Sequence, residues 1–197
     1  MTSHPPTSAG AAPGVRREEV IALLHEHTEN PGLRKHALAV EAAMRAYARR
    51  LGGDEALWGA TGLIHDFDYE KHPTPAEHPF VGCGILREKG YPPEMIDAIL
   101  GHAAYTGTPR VTPMAKALFA VDEICGLVTA TALVQPGKTL AEVTVESILK
   151  KMKSKGFARG VNREDIARGA EELGVPLPEH VGVVLAALQG EAEAMGL

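Results

Sequence analysis

The heptapeptide Gly-Leu-Ile-His-Asp-Phe-Asp, residues 62–68, follows a segment in which apolar residues occupy nearly every position from Glu55 onward. A helix that is apolar on all sides is typical of a protein interior. We therefore expect a buried helix that ends at His65 and Asp66. Imidazole and carboxylate groups are both good ligands for first-row metals. A buried carboxylate is costly unless a charged or hydrogen-bonding group meets it, so this helix end predicts a metal ion or a polar partner.

The composition is that of one domain, with or without a small appendage. The chain has 197 residues, of which 45% are hydrophobic and only 5% aromatic, and its net charge is −5. This charge gives no general attraction to nucleic acid or to an anionic membrane. Two cysteines do not make a disulfide framework, and the N-terminus lacks an apolar leader. We expect a cytoplasmic protein that binds neither membranes nor a nucleic acid scaffold.

Helix signals recur along the chain, and no segment shows the alternation of a strand. Asn30-Pro31, Asp54 and Thr112-Pro113 are typical helix starts. The predicted fold class is therefore all-α, a compact helical bundle of about nine helices with additional C-terminal helices. The predicted helices are residues 16–28, 32–51, 55–64, a segment from about Pro79, 94–104, 112–134, 139–153, 162–173 and 176–195.

The predicted domain organisation has three parts. Residues 1–15 are rich in Pro, Ala, Gly, Ser and Thr, which predicts a disordered tail. Residues 16–134 are predicted to form the metal-binding helical domain, and residues 135–197 a helical extension packed on it. The basic run Lys150–Lys155 in this extension is either a solvated face or a flap that faces a phosphate. Apolar residues in the last helices allow a homodimer.

Ionisable residues interrupt the apolar faces of several predicted helices. One such histidine is more often a hydrogen-bonded core residue than a ligand, but five such places in one small domain favour one or two divalent metal ions. An unpaired buried carboxylate costs several kcal/mol, so Asp122 is expected to meet a metal or a cation such as Lys116. The residues concerned are His36, His78, His102, Asp122 and the pair His65-Asp66.

The order His…His-Asp…His…His…Asp resembles the HD-domain superfamily of metal-dependent phosphohydrolases, and it looks like the smaller HDIG-type members. The resemblance covers about residues 30–133. The segments that carry it are Arg34-Lys35-His36, Gly62–Phe67, Glu77–Gly82, Ile99–His102 and Ala120–Glu123.

The resemblance implies a particular ligand set. The first metal would be held by His36, His65, Asp66 and Asp122. Asp66 would bridge to a second metal that is held also by His78 and His102. The number of ions, one or two, and their identity among Fe, Mn, Zn, Mg and Ni stay open, because such ligands do not choose between these metals.

Four residues are predicted to act in catalysis. Asp66 would take part as the shared metal ligand, and Arg34 and Lys35 would hold phosphate oxygens near His36. Arg110 and Lys116 are further candidates for the phosphate. Asp68 would take a proton or orient a ligand histidine, or it would merely cap the helix end.

Three functions remain open. The leading hypothesis is a phosphohydrolase that uses a metal-activated water on a small phosphorylated substrate, either nucleotide-like or another phosphate ester. The second is a di-iron oxygenase of the HD fold, which uses the same ligand pattern. The third is a non-enzymatic, metal-stabilised regulatory module.

Overall fold

The computed structural model describes residues 15–197. This part of the chain contains ten α-helices and no β-strand, so the predicted all-α class is confirmed. Short 3₁₀ turns lie at Ala104–Thr106 and Leu140–Glu142. The helices are α1 (Arg17–His27), α2 (Pro31–Leu51), α3 (Glu55–Ile64), α4 (Phe80–Glu88), α5 (Pro93–His102), α6 (Pro113–Leu133), α7 (Val145–Met152), α8 (Arg163–Leu173), α9 (Leu177–Gly190) and α10 (Ala192–Met195).

Helices α2 and α3 form a close antiparallel pair. The Asn30 side chain caps α2 by accepting hydrogen bonds from the first-turn amides, and Gly52 ends it in the left-handed conformation at φ 71°. At Gly62 on α3, a Cβ atom would lie 2.9 Å from the Val40 carbonyl oxygen. This close approach brings the end of α3 beside α2.

Helix α6 is the central helix of the bundle, buried along most of its length and packed against α2, α5 and α8. The C-terminal helices pack on this core rather than apart from it. A Cβ atom at Gly169 on α8 would lie 2.5 Å from Ala120 Cα on α6. On α9, the buried His180 ring donates a hydrogen bond to the Ala120 carbonyl oxygen at 2.9 Å. The domain boundary near residue 134 itself stays a prediction.

Two predicted helices are wrong in their extent. Residues 139–153 form a 3₁₀ turn and then α7, because Thr144 and Ser147 make a reciprocal capping box that starts a new helix. Residues 176–195 divide into α9 and α10 at Glu191, whose backbone leaves the helical region at φ −118°, ψ 18°. The predicted N-terminal tail, apart from Val15, lies outside the described residues. In the described range, none of the helices combines the length and apolar character that crossing a bilayer requires.

Candidate metal centre

Six ionisable side chains converge on one place in the bundle and form two groups that share Asp66. In each group, one ligand atom per residue lies within 4.8 Å of all the others. The first group is His36, His65, Asp66 and Asp122, and the second is Asp66, His78 and His102. These are the two sets that the sequence resemblance implied. They come from α2, from the end of α3, from the turn before α4, from the last residue of α5 and from α6.

The first group places imidazole nitrogens against carboxylate oxygens. His36 Nε2 lies 2.9 Å from Asp122 Oδ1. His65 Nε2 lies 3.4 Å from an oxygen of Asp66 and 3.4 Å from Asp122 Oδ1. The other ring nitrogen of His65, Nδ1, donates to the Gly62 carbonyl oxygen at 2.8 Å. With its proton on Nδ1, a neutral His65 turns the bare Nε2 toward two carboxylates, an arrangement that only a cation or a second proton can stabilise.

The second group repeats this arrangement around the other side of Asp66. His78 Nε2 and His102 Nε2 each lie 3.3 Å from Asp66 Oδ1, and they are 3.4 Å from one another. His102 Nδ1 donates to the Ile99 carbonyl oxygen, and His78 Nδ1 donates to Asp68. In its neutral form, each ring therefore directs an unprotonated Nε2 at the same carboxylate oxygen, as metal-binding histidines do.

Two buried atoms of this centre, His65 Nε2 and Asp66 Oδ1, have no hydrogen-bond partner among the residues that the structure describes. Burial would raise the pKa of Asp66, but His65, His102 and His78 hold it well below its usual range. Burial would likewise raise the pKa of Asp122, which His36 and His65 lower. Ionised carboxylates that are largely shielded from water, together with unpartnered nitrogen and oxygen donors, are what a divalent cation requires, so the residues fit a metal.

Asp68 lies behind the second group. It is fully buried, and one of its oxygens accepts the hydrogen bond from His78 Nδ1 at 2.7 Å. The other oxygen accepts from the Gly82 amide at 2.7 Å. Both oxygens are thus occupied inside the protein, in a position that orients the His78 ring. Its predicted role in proton transfer stays a prediction.

The two residues expected to hold phosphate oxygens point away from the centre. Arg34 Nε donates to the Thr28 carbonyl oxygen at 2.6 Å, and Lys35 Nζ lies near Gly196 at the end of the chain. Neither residue lines the cleft above the metal centre. Neighbouring residues on a helix point about 100° apart, so adjacency to His36 does not bring them to the same face. This placement corrects the expectation that Arg34 and Lys35 lie where they would hold phosphate oxygens near His36.

Arg110 and Lys116 do not reach the centre either. The Arg110 guanidinium pairs with both carboxylate oxygens of Glu172, at 2.8 and 2.6 Å, and lies over the Phe119 ring. Lys116 is not the partner of Asp122, which pairs with His36 instead. Arg110, which precedes α6, therefore takes part in the packing of α8 against α6.

A cleft of about 570 Å³ opens above the two groups. Tyr69 and Tyr105 line it on the side of His78, and Glu123, Asn162 and Asp165 line it near Asp122. Its lining within residues 15–197 includes no lysine or arginine. Burial and the neighbouring Asp122 raise the pKa of Glu123 to about 7.

The sequence did not predict these walls, because all of the wall residues except Glu123 lie on loops or on the C-terminal extension. Tyr105 follows the predicted helix 94–104, and Asn162 is the first residue of the predicted helix 162–173. The one local signal was the position of Glu123 directly after a predicted ligand. Which loop residues face the cleft depends on contacts between elements that are distant in sequence.

The basic run Lys150–Lys155 does not line the cleft. Lys151 Nζ lies over the Phe157 ring at 4.4 Å, and Lys150, Lys153 and Lys155 are exposed. Arg163 folds the adjoining loop by donating to backbone carbonyl oxygens at Ser154, Phe157, Ala158 and Val161. The solvated-face interpretation accounts for these lysines as they stand, and the flap stays a prediction.

Residues 33–127 of the chain match the HD domain family, and this range includes all six residues of the two groups. This part of the chain is therefore an HD domain. No curated protein and no solved structure matches the chain.

Proposed function

We propose that this chain, which carries an HD domain over residues 33–127, is a metal-dependent phosphohydrolase that acts on a nucleotide or another small phosphate ester. The observation that carries the proposal is the pair of His/Asp groups that share Asp66 beneath an open cleft. HD domains are generally metal-dependent hydrolases. The finer HDIG assignment stays a prediction.

Divalent ions bound to the two groups would polarise a phosphoryl oxygen and lower the pKa of a bound water. The chain's own residues supply the positioning. Asp66 belongs to both groups, so its two oxygens set the distance between them. Backbone carbonyl oxygens orient His65 and His102, and Asp68 orients His78. Phosphoryl transfer depends mainly on such positioning and on charge neutralisation.

The charge neutralisation would come from metal ions at the base of the cleft. With no lysine or arginine among the described lining residues, a phosphate group has no side-chain cation to bind along the walls. It would therefore be drawn to the metal ions that the two groups would hold, and the organic part of the substrate would lie toward the tyrosines and the α6–α8 side. This orientation leaves the scissile phosphate nearest to Asp66.

The test is release of inorganic phosphate from 4-nitrophenyl phosphate and nucleoside monophosphates. The protein is stripped of metal, reloaded with Mn²⁺ or Mg²⁺ and assayed under argon, alongside the Asp66→Asn and Asp97→Asn variants. Asp97 is an exposed residue on α5 and serves as the matched control. We expect Asp66→Asn to lose about 100-fold or more of the rate, the scale of removing one group that stabilises a transition state, and Asp97→Asn to keep it. Equal rates in both variants, or no phosphate release by the wild type, would overturn the proposal.

A second candidate, an oxygenase with two iron ions in the same groups, is favoured by one observation. The cleft lining, within the described residues, offers no cation to an anionic substrate, so a neutral one fits it equally well. Iron-loaded protein that consumes dioxygen with a substrate would support this candidate. Phosphate release with Mn²⁺ under argon would argue against it.

A further inference from the structure

Tyr105 holds its ring at the edge of the cleft. It lies in the 3₁₀ turn Ala104–Thr106, which begins two residues after the ligand His102. Its hydroxyl donates to the His78 carbonyl oxygen at 2.9 Å, yet 53% of the residue remains exposed. The side chain is thus held at one end by the 3₁₀ turn and at the other by the hydrogen bond of its hydroxyl, while the ring surface stays accessible from the cleft.

Tyr69 lies on the same side of the cleft. Its ring meets the His78 ring edge-on, with centroids 5.2 Å apart and planes at 84°. Like Tyr105, it lines the cleft and remains 42% exposed. Two partly exposed aromatic rings therefore border the second group, and both face the same cleft.

The remaining walls present polar groups that are bonded to one another. The Asn162 amide donates to Glu123 at 3.0 Å, and the Asn162 side chain donates to Asp165 at 2.6 Å. These groups lie beside Asp122 and the first ligand group. The tyrosines therefore contribute the main aromatic surface of the cleft, next to the place where a phosphate would bind. A cleft of about 570 Å³ holds a small organic molecule with its phosphate.

We propose that this cleft selects phosphate esters whose organic part carries a flat ring, and that Tyr105 and Tyr69 are the residues that bind this ring. The inference rests on the proposed function, since the phosphate must sit at the His/Asp groups. Flat rings stack on aromatic side chains whatever their substituents. Saturated rings of the same size lose this stacking and keep only the apolar contact.

The test measures binding, so that it does not depend on turnover. Calorimetric titration of the Mn²⁺-loaded protein with phenylphosphonate and with cyclohexylphosphonate compares a flat ring with a saturated ring of equal carbon number, and neither compound is a hydrolysable ester. We expect the wild type to bind phenylphosphonate on the order of 10-fold more tightly. Tyr105→Leu should remove most of this ratio, whereas Tyr105→Phe, which keeps the ring, should retain it.

Phe80 gives a matched control, since it is 44% exposed on α4 and does not line the cleft. Phe80→Leu should leave the ratio unchanged. Equal affinities in the wild type, no binding of either phosphonate, or a ratio that survives both Tyr105→Leu and Tyr69→Leu would overturn the inference. Phosphate release without a ring preference would refute the inference alone, while a ring preference without any phosphate release would refute the proposed hydrolysis.

Discussion

His78 donates a hydrogen bond from Nδ1 to Asp68 at 2.7 Å, and this bond turns the opposite ring nitrogen toward Asp66. Burial would lower the pKa of His78, but its hydrogen bonds with Asp66 and Asp68 raise it to about 9. Asp68 is buried and lies outside both ligand groups. The geometry of the second group therefore depends on a residue that would not itself touch a metal.

Asp68→Ala should weaken the second group without unfolding the protein. Loss of the residue that orients a ligand histidine typically costs about 10- to 100-fold in metal affinity or activity. Metal titration should show a weakened second binding event and an unchanged first one. Equal weakening of both events would show that Asp68 supports the whole bundle rather than His78.

Gly82→Ala should also weaken metal binding at the second group, because the added methyl group would press on Asp68. A Cβ atom at Gly82 would lie 2.8 Å from Asp68 Cγ and 2.8 Å from the Phe67 ring, so the Asp68 carboxylate must move. At Gly84, on the same helix, no atom of the residues that the structure describes lies within 4 Å of the corresponding position. We expect Gly82→Ala to lower metal affinity at the second group and Gly84→Ala to leave it unchanged. Identical behaviour of the two variants would contradict this explanation.

Gly169→Ala should destabilise the packing of α8 on α6. Its Cβ atom would lie 2.5 Å from Ala120 Cα, a contact with backbone that cannot be relieved by a side-chain rotation. Such overpacking typically costs about 1–3 kcal/mol in the free energy of unfolding. Gly190 on α9 has open space around it, so Gly190→Ala should be neutral or slightly stabilising. Chemical denaturation of the two variants measures this difference, and equal midpoints would contradict it.

His180 should make the stability of the protein depend on pH. Tyr47 donates to its Nδ1 at 2.6 Å and its Nε2 donates to the Ala120 carbonyl oxygen. Burial lowers its pKa below the ordinary value of 6.5. As the pH falls below that value the unfolded chain gains a proton that the buried ring resists, so stability falls by up to ~1.4 kcal/mol per pH unit for this one group.

Denaturation of the wild type and of His180→Gln between pH 7.5 and about 5 isolates this contribution. The variant should be less stable at pH 7.5, because the fit of the ring is lost, but its stability should fall less steeply with acid. Parallel curves for the two proteins would show that His180 does not resist protonation in the folded state.

Local signals in the sequence predicted most helix starts, since Asn30, Asp54 and Thr112 each cap the helix that follows. The spacing of apolar residues, which is also a local signal, placed His36 and Asp122 on inward faces of their helices. The walls of the cleft could not be predicted, because Tyr105 and Asn162 reach it only through the packing of distant elements. The orientation of Arg34 was also inaccessible, since it depends on the carbonyl oxygen of Thr28 in the preceding turn.

The proposed hydrolysis and the proposed ring preference both depend on the His/Asp groups holding metal ions. The most direct measurement is elemental analysis of protein purified without a nickel column, for the wild type and for His78→Ala. We expect two ions per chain in the wild type, one for each group, and about one in the variant, because His78 belongs to the second group alone. One ion per chain in both proteins would show that the second group holds no metal. No metal in either protein would contradict metal binding by both groups.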